Sequence, residues 1–362
     1  MTRYETHRFV VEERDGDLVG REKEHEVLKP DRCVLVQGLE DDLDASVAQA
    51  FEQIGADAVI RPGDRVAIKI NLGGGIHHVL TTYSDPRICE ALIKQVRRLG
   101  GDPFVCEADM RAHVMNDKML RIRGYHDVLR RNDTPFVNLS NGPTVTMQCR
   151  DLDVPLVLPE TLLRPDVKIV SFAPPKHHWE CGVTASQKNM YGAIAEYRKS
   201  IYHRKYARID HAVAAAARLL SPDLSILAGF DLGGGLGPHF CVPIPFRRMI
   251  IAKDMVRCDK AASEILGYPY DLVKYAMINT RGQHVDYDLH PASDWPDGAT
   301  LEAIKARSVT PAGVRFWKAL LFPQYYVPHR FQIAVYPHLE FLATWINRLL
   351  FERKAPRPFP HK

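Results

Sequence analysis

Short apolar runs alternate along the chain with stretches of helical spacing. Cys33 to Gln37 reads as a strand and Leu43 to Ile54 as a helix; Val66 to Ile70 is a second strand, followed after a glycine loop by a helix from Arg87 to Leu99. The rhythm continues with a strand Phe104 to Glu107, a helix Asp117 to Arg130, and short extended pieces near Phe136 and Val154. Strand Val167 to Phe172, helix Ala185 to Ala195, helix Asp210 to Leu220, strands Ser225 to Phe230 and Arg248 to Ala252, and helix Asp254 to Leu266 complete it. Such alternation predicts an α/β fold, Rossmann-like, with a mostly parallel sheet and helices on both faces. Ligands of these sheets bind where loops leave the carboxyl ends of strands. The chemically loaded segments lie at such exits.

The densest segment is Pro174 to His203, which packs His177, His178, Glu180, Cys181, Lys188, Asn189 and His203 around a strand exit and a helix. His178 is placed on the loop and Lys188 in the first helical turns, with Gly182 and Thr184 as turn and cap. Histidine shuttles protons near neutral pH and ligates metals, and a desolvated lysine serves as base or covalent tether. The alternative is a solvated basic face, because Arg198, Lys199, Arg204 and Lys205 lie nearby.

Four further exits carry chemistry. Lys69-Ile70-Asn71-Leu72-Gly73-Gly74-Gly75 leads through His77 and His78 to Thr81, Thr82 and the helix start Ser84-Asp85-Pro86. It matches neither a Walker loop nor the dinucleotide fingerprint. Glu107 and Asp109, two residues apart with Arg111 and His113 close by, are placed to bind metal or polar substrate groups, or to cap the next helix. Asp231 precedes Gly233, Gly234, Gly235 and Gly237-Pro238, with His239 closing a predicted glycine loop against which a phosphate or planar cofactor would lie, or a plain Gly-Pro turn. Asp254 reads as a helix N-cap and Asp259 as a structural hydrogen-bonding group.

Composition narrows the class. The 362 residues, 46% hydrophobic and 25% charged, suit a globular chain of one large or two smaller units. A net charge of +4 with interspersed signs gives little support to nucleic-acid binding. The seven cysteines, at 33, 89, 106, 149, 181, 241 and 258, form no C-x-x-C pair, which argues against a disulfide framework and against a ferredoxin-type iron-sulfur cluster. The N-terminus lacks a secretory apolar stretch, and no run reaches the roughly 18 apolar residues of a spanning helix. The expectation is a soluble cytoplasmic protein.

Several segments in order resemble the family catalogued as domain of unknown function 362. They are Lys69-x-Asn71-Leu72 with Thr81-Thr82 and Asp85-Pro86; Lys176-x-His178 with Gly182-Val183-Thr184 and Lys188-Asn189-x-x-Gly192; His203; Asp231 with Gly237-Pro238; and Asp254, Asp259 and Gly267. The resemblance covers about residues 60 to 280. It implies redox work, since many members carry a ferredoxin-like cluster module that this sequence lacks. The order His178, Lys188, His203 is more distantly similar to the nickel-pincer lactate racemases. That likeness implies His178 as acid/base, Lys188 as cofactor tether and His203 as metal ligand, with Ser186-Gln187 standing where that family has glycines.

Residues 1 to 281 are thus expected to form the α/β domain, and 282 to 362 a C-terminal arm rich in aromatics between 312 and 352, where Pro323, Pro328 and Pro337 break any long helix. The arm would pack on the main domain or form a homodimer; a lid or peripheral membrane contact is the alternative. The expected activity is a metal- or redox-cofactor-dependent oxidoreductase or isomerase moving hydride or protons on a small organic substrate, and the competing class is a non-catalytic cofactor or metal carrier. His178, Lys188 and Lys69 would be catalytic; Asn71, Gly73, Gly74, Thr81, Thr82, Asn189, Asp231, Gly233, Gly234 and Gly237 would bind cofactor; His203 with Glu107 or Asp109 would hold metal.

Overall fold

The computed structural model describes residues 1–73, 80–110, 114–196, 199–203, 208–238 and 240–321. Gly74, Gly75, His77, His78, Arg111, His113, Arg198, Arg204, Lys205 and His239, and the expected arm from Phe322 onward, lie outside the described residues.

The chain opens with β1 (Thr2–Glu5), β2 (Phe9–Arg14) and β3 (Asp17–Glu22), followed by β4 (Cys33–Gly38), α1 (Leu43–Ile54), β5 (Arg65–Lys69), α2 (Pro86–Arg98) and β6 (Asp102–Glu107). Next come α3 (Asp117–Ile122), α4 (Tyr125–Arg131), β7 (Phe136–Asn138), β8 (Thr144–Cys149), β9 (Leu152–Pro159), α5 (Glu160–Leu163) and β10 (Val167–Ala173). The site region holds β11 (Lys176–His178), β12 (Gly182–Thr184), α6 (Ser186–Gly192) and α7 (Arg208–Leu220). The chain then forms β13 (Leu224–Leu236), β14 (Phe240–Ala252), α8 (Met255–Ile265), α9 (Lys274–Thr280), β15 (Asp288–Leu289), α10 (Gly298–Lys305) and α11 (Pro311–Leu321).

The main sheet runs β15-β4-β14-β13-β10-β5-β6-β7. From β13 to β7 every neighbour is parallel, whereas β14 is antiparallel to both β13 and β4. The strand period of two sorts side chains onto two cores. Ile68, Val105 and Val170 face α1, α2 and α4, while Ala67, Phe104 and Ile169 face the layer built by α6 to α9. Both faces are covered, as expected for parallel strands that are apolar throughout.

Local chemistry explains the helix ends. Asp42 accepts from Ala45 N and Gly55, at φ 66°, closes α1, so Val47, Phe51 and Ile54 form one buried stripe. Asp85 caps α2 with Pro86 in the first turn. The helix expected over Asp117 to Arg130 is two helices, because Gly124 at φ 75° breaks it.

Two other departures matter more. Residues 2 to 22 form strands that join β8 and β9 in a separate five-stranded sheet, order β1-β2-β3-β8-β9, whose Phe9, Val11 and Leu156 pack in the same core as α7. The predicted glycine loop after Phe230 is instead the distal half of a long antiparallel hairpin, in which Gly233 faces Pro243 and Gly235 faces Cys241. The beginning of the expected arm belongs to the main body: β15 pairs with β4, and Val285, Ile304 and Val314 are buried in the core. Among the described residues no helix is long and apolar enough to cross a membrane.

Candidate functional site

Parallel register sets the ends of β5, β6 and β10 side by side, pairing Lys69 with Cys106 and with Ser171. Lys69 Nζ lies 2.8 Å from Glu107 Oε1, and both side chains are sealed from solvent. Its remaining donors go to Ile70 O at 2.6 Å and Asn189 Oδ1 at 3.2 Å, so the ammonium is fully satisfied. Glu107 also accepts from Leu72 N at 3.1 Å and Ala108 N at 2.9 Å. A side chain on Gly192 would meet Lys69 Nζ at 2.9 Å, so glycine is what lets α6 close over the pair.

Asn189 joins the strands to α6. Its Nδ2 donates to Lys69 O at 2.9 Å and Ser171 Oγ at 3.1 Å, and its Oδ1 also accepts from Asn71 Nδ2 at 3.3 Å. Asn71 Oδ1 in turn accepts from Lys176 Nζ at 2.9 Å, and Lys176 makes a second, short bond to Thr82 O. Lys199 closes the far side by donating to Gly192 O at 2.8 Å. Burial pushes the ammonium groups of Lys176 and Lys199 down to about 8.

The helix is aimed by Asp259 of α8, which accepts from Ser186 N at 2.6 Å and Gln187 N at 3.1 Å. It supplies the cap that Ala185 cannot. Burial raises its carboxyl to about 7 while the helix amides pull the other way. Asp254 caps α8 through Val256 N and Arg257 N. Both aspartates hold structural posts.

A second group lies along the outer face of α6. Lys188 Nζ stands 5.3 Å from the centre of the Tyr191 ring, and His203 meets the same ring edge-on at 6.1 Å. Tyr191 OH is 3.3 Å from His203 Nε2, and His203 Nδ1 is 3.0 Å from Glu180 Oε2. Glu180 N and Cys181 N both donate to His178 Nδ1, at 3.0 and 3.2 Å, so the His178 proton sits on Nε2. His177 is a core residue, with Nε2 3.1 Å from Leu266 O and 2.9 Å from Ser308 Oγ; burial lowers its imidazole to about 4.

Lys69, Asn71, Glu107 and Asn189 therefore share one hydrogen-bonded cluster, and Lys188 and His203 share one tyrosine. His178 sits in a short β11–β12 hairpin rather than a loop, and touches the second group through the Glu180 backbone. Asp109 accepts from Met115 N at 2.7 Å and Asn138 Nδ2 at 2.8 Å, and reaches Lys199 only through space. Asp231 and Thr81 line a small cavity of about 90 Å³ with Tyr83, Asp85 and Phe230.

The glycines after Asp231 are explained by close packing. A Cβ on Gly233 would lie 2.6 Å from Lys176 Cβ, one on Gly234 2.6 Å from Ile244 Cδ1, and one on Gly237 1.9 Å from His177 O. Protein atoms fill the Cβ positions of Gly233, Gly234 and Gly237, so no side chain fits there. Gly73 lies beside Asn71, its Cβ position 3.3 Å from Asn71 Oδ1.

His203, Glu107 and Asp109 engage different partners, and among the described residues no three His, Cys, Asp or Glu side chains gather as metal ligands. Sequence reasoning missed Lys176, Tyr191 and Lys199 as members of the site. Lys199 lies in a run of basic residues whose alternative reading is a solvated face, yet it is buried. The signal available was position: Lys176 directly follows Pro174-Pro175 at the exit of β10.

The chain is 26% identical over 227 residues to the thylakoid-associated protein sll1697 of Synechocystis sp. (strain ATCC 27184 / PCC 6803 / Kazusa), covering 61% of this chain and 69% of that protein. Residues 66–264, more than half of the chain and the span that carries the whole lysine and asparagine cluster, match the family described as Domain of unknown function (DUF362), to which the protein belongs.

Proposed function

We propose that the protein is an enzyme that moves a proton on a small anionic organic substrate, in an isomerase or, with a dissociable hydride carrier, an oxidoreductase. The supporting observation is the excess of lysine at one strand edge: Lys69, Lys176, Lys188 and Lys199 stand around α6, and among the described residues the ion pair of Glu107 is with Lys69. A buried cationic cradle favours a carboxylate or phosphate, and lysines that titrate near 8 hold or release charge close to the working pH. In this reading Lys176 and Lys199 hold the anion, Asn71 and Asn189 fix its orientation, and Lys188 accepts the proton. Among the described residues Lys188 forms no ion pair with a carboxylate, and its ammonium lies over the Tyr191 ring.

A tethered metallocofactor fits these residues poorly. Lys188 is free to serve as a tether, but both nitrogens of His203 are already engaged, by Glu180 and by Tyr191. No step is therefore assigned to a metal.

The test is proton exchange in heavy water with a panel of small hydroxy-, oxo- and amino-carboxylates, read by mass spectrometry, for wild type beside Lys188→Ala. Wild type should wash deuterium into the carbon next to the carboxylate, and the variant should lose about a hundredfold or more of that rate. Binding without exchange would support the carrier class instead. Intact mass and metal content, measured beside His203→Ala, check the cofactor: a wild-type adduct lost with Lys188, together with metal lost with His203, would overturn the metal-free account.

A further inference from the structure

A second cleft, of about 240 Å³, opens between the N-terminal sheet and the C-terminal ends of α7 and α9. Its floor is a finished piece of structure. Arg218 spends all five N–H donors: Nε and Nη2 on Glu22 at 2.6 and 3.1 Å, Nη1 and Nη2 on Asp151 at 3.1 and 2.6 Å, and Nη1 on Asn279 Oδ1 at 3.3 Å. Asn279 Nδ2 is itself held by Gln187 Oε1 at 2.8 Å. The floor is rigid before any ligand arrives, and its two carboxylates outnumber its one guanidinium.

The walls are not finished. Arg281 Nη2 and Arg150 Nη2 both rest on a single oxygen, Glu24 Oε1, at 2.7 and 3.4 Å. Each guanidinium offers a fork built for two parallel bonds to a carboxylate and uses one nitrogen of it. Arg281 is also the αL residue that ends α9, at φ 53°, a backbone setting uncommon for a side chain of this size. Glu26 lines the same cleft, exposed and with no ion pair among the described residues. Val27, Leu28 and Ile278 add apolar surface to the lining, and His25, Thr280 and Gln283 add polar surface.

The arginines of the lining thus keep unused donors, the floor and Glu26 carry surplus negative charge, and apolar surface shares the cleft. We propose that this cleft binds a small zwitterion of the α-amino acid type, its carboxylate on Arg281 and Arg150, its ammonium on Glu26, and an aliphatic side chain against Val27 and Ile278. The site is separate from the lysine cradle and makes no use of it.

Titration calorimetry on the full chain tests this, with L-alanine, L-valine and L-leucine as probes beside N-acetyl-L-leucine and L-leucine amide, each of which lacks one charge. A free amino acid should bind, and both blocked analogues should bind about tenfold or more weakly. Arg281→Gln and Glu26→Gln alter exposed side chains, leave the core intact, and should each weaken binding by a similar factor. No heat from any amino acid at about 10 mM, an analogue binding as well as its parent, or binding indifferent to both substitutions would overturn the proposal.

Discussion

Glu107→Gln tests the centre of the site. The Lys69–Glu107 pair spans 2.8 Å with both side chains at 2% exposure or less, and Glu107 receives two backbone amides besides. Glutamine keeps the volume but loses the charge and one acceptor. If its carbonyl faces Lys69, its NH2 confronts Leu72 N–H; if reversed, the NH2 confronts both the ammonium and Ala108 N–H. Either way Lys69 loses its counter-charge in a dry site, and removing one partner of a buried pair costs about 3–5 kcal/mol. Lys69→Met should cost about as much, because the carboxylate is then held by two amides only. The double variant Lys69→Met/Glu107→Gln removes both charges, so its loss should fall short of the sum by about 2 kcal/mol or more. Urea unfolding followed by circular dichroism gives the three values. A Glu107→Gln loss under about 1 kcal/mol, or strict additivity, would refute a dry ion pair at this position.

Three more outcomes follow from the geometry. Gly192→Ala places a methyl 2.9 Å from Lys69 Nζ and 3.2 Å from Glu107 Oε1, so it should lower stability by about 1–3 kcal/mol in the same urea assay. Binding of a small carboxylate should weaken as pH rises through about 8, because Lys176 and Lys199 lose their charge there; calorimetry between pH 7 and 9 should show the decline, and Lys176→Met should flatten it. Asp210 is buried, neither oxygen is hydrogen-bonded, and Lys318 Nζ stands 3.8 Å away. Burial raises its carboxyl, with Lys318, Glu180, Lys274 and Lys188 acting on it from α11, the β11–β12 turn, α9 and α6. A raised folded value means stability present below the ordinary carboxylate range and lost as pH rises through that value. Asp210→Asn should accordingly leave the Tm at pH 7 unchanged or higher; a loss above about 2 kcal/mol would show that the charge is needed.

Elements with strong period signals were legible in the sequence. Leu43 to Ile54 is a helix at its expected bounds, and the central strands fall within a residue or two of theirs. The edges were not. Strands β1 to β3 are short and polar on one face, and what orders them is the pairing of Leu18 with Val145 across more than a hundred residues, which no local pattern reports. The run Gly233 to Gly235 has loop composition, yet it is strand because Lys176, Cys241 and Ile244 crowd the space a side chain would need. At the site, residues at strand exits could be picked out by chemistry and position. Burial of Lys176 and Lys199 could not, since lysine is ordinarily a surface residue and tertiary packing alone encloses it.

The lysines differ in what their surroundings leave them free to do. Lys69 has three acceptors for three protons and belongs to the frame. Lys176 and Lys199 donate to oxygens that carry no full charge, Asn71 Oδ1 and the carbonyls of Thr82 and Gly192, so burial outweighs the more distant pull of Glu107 and their protons loosen. Among the described residues Lys188 makes no ion pair and lies over the face of Tyr191, a weak hold of roughly 0.5–1 kcal/mol for a group still reached by water. Holding strengthens toward the sheet and freedom strengthens toward the outer face of α6. A reagent that acylates amines should therefore single out Lys188 within the cradle: peptide mapping after brief treatment should find it modified first, and Tyr191→Ala should speed that reaction by removing the ring. Modification of Lys176 or Lys199 ahead of Lys188 would place the reactive amine inside the cradle and reverse the roles of proton acceptor and anion holder.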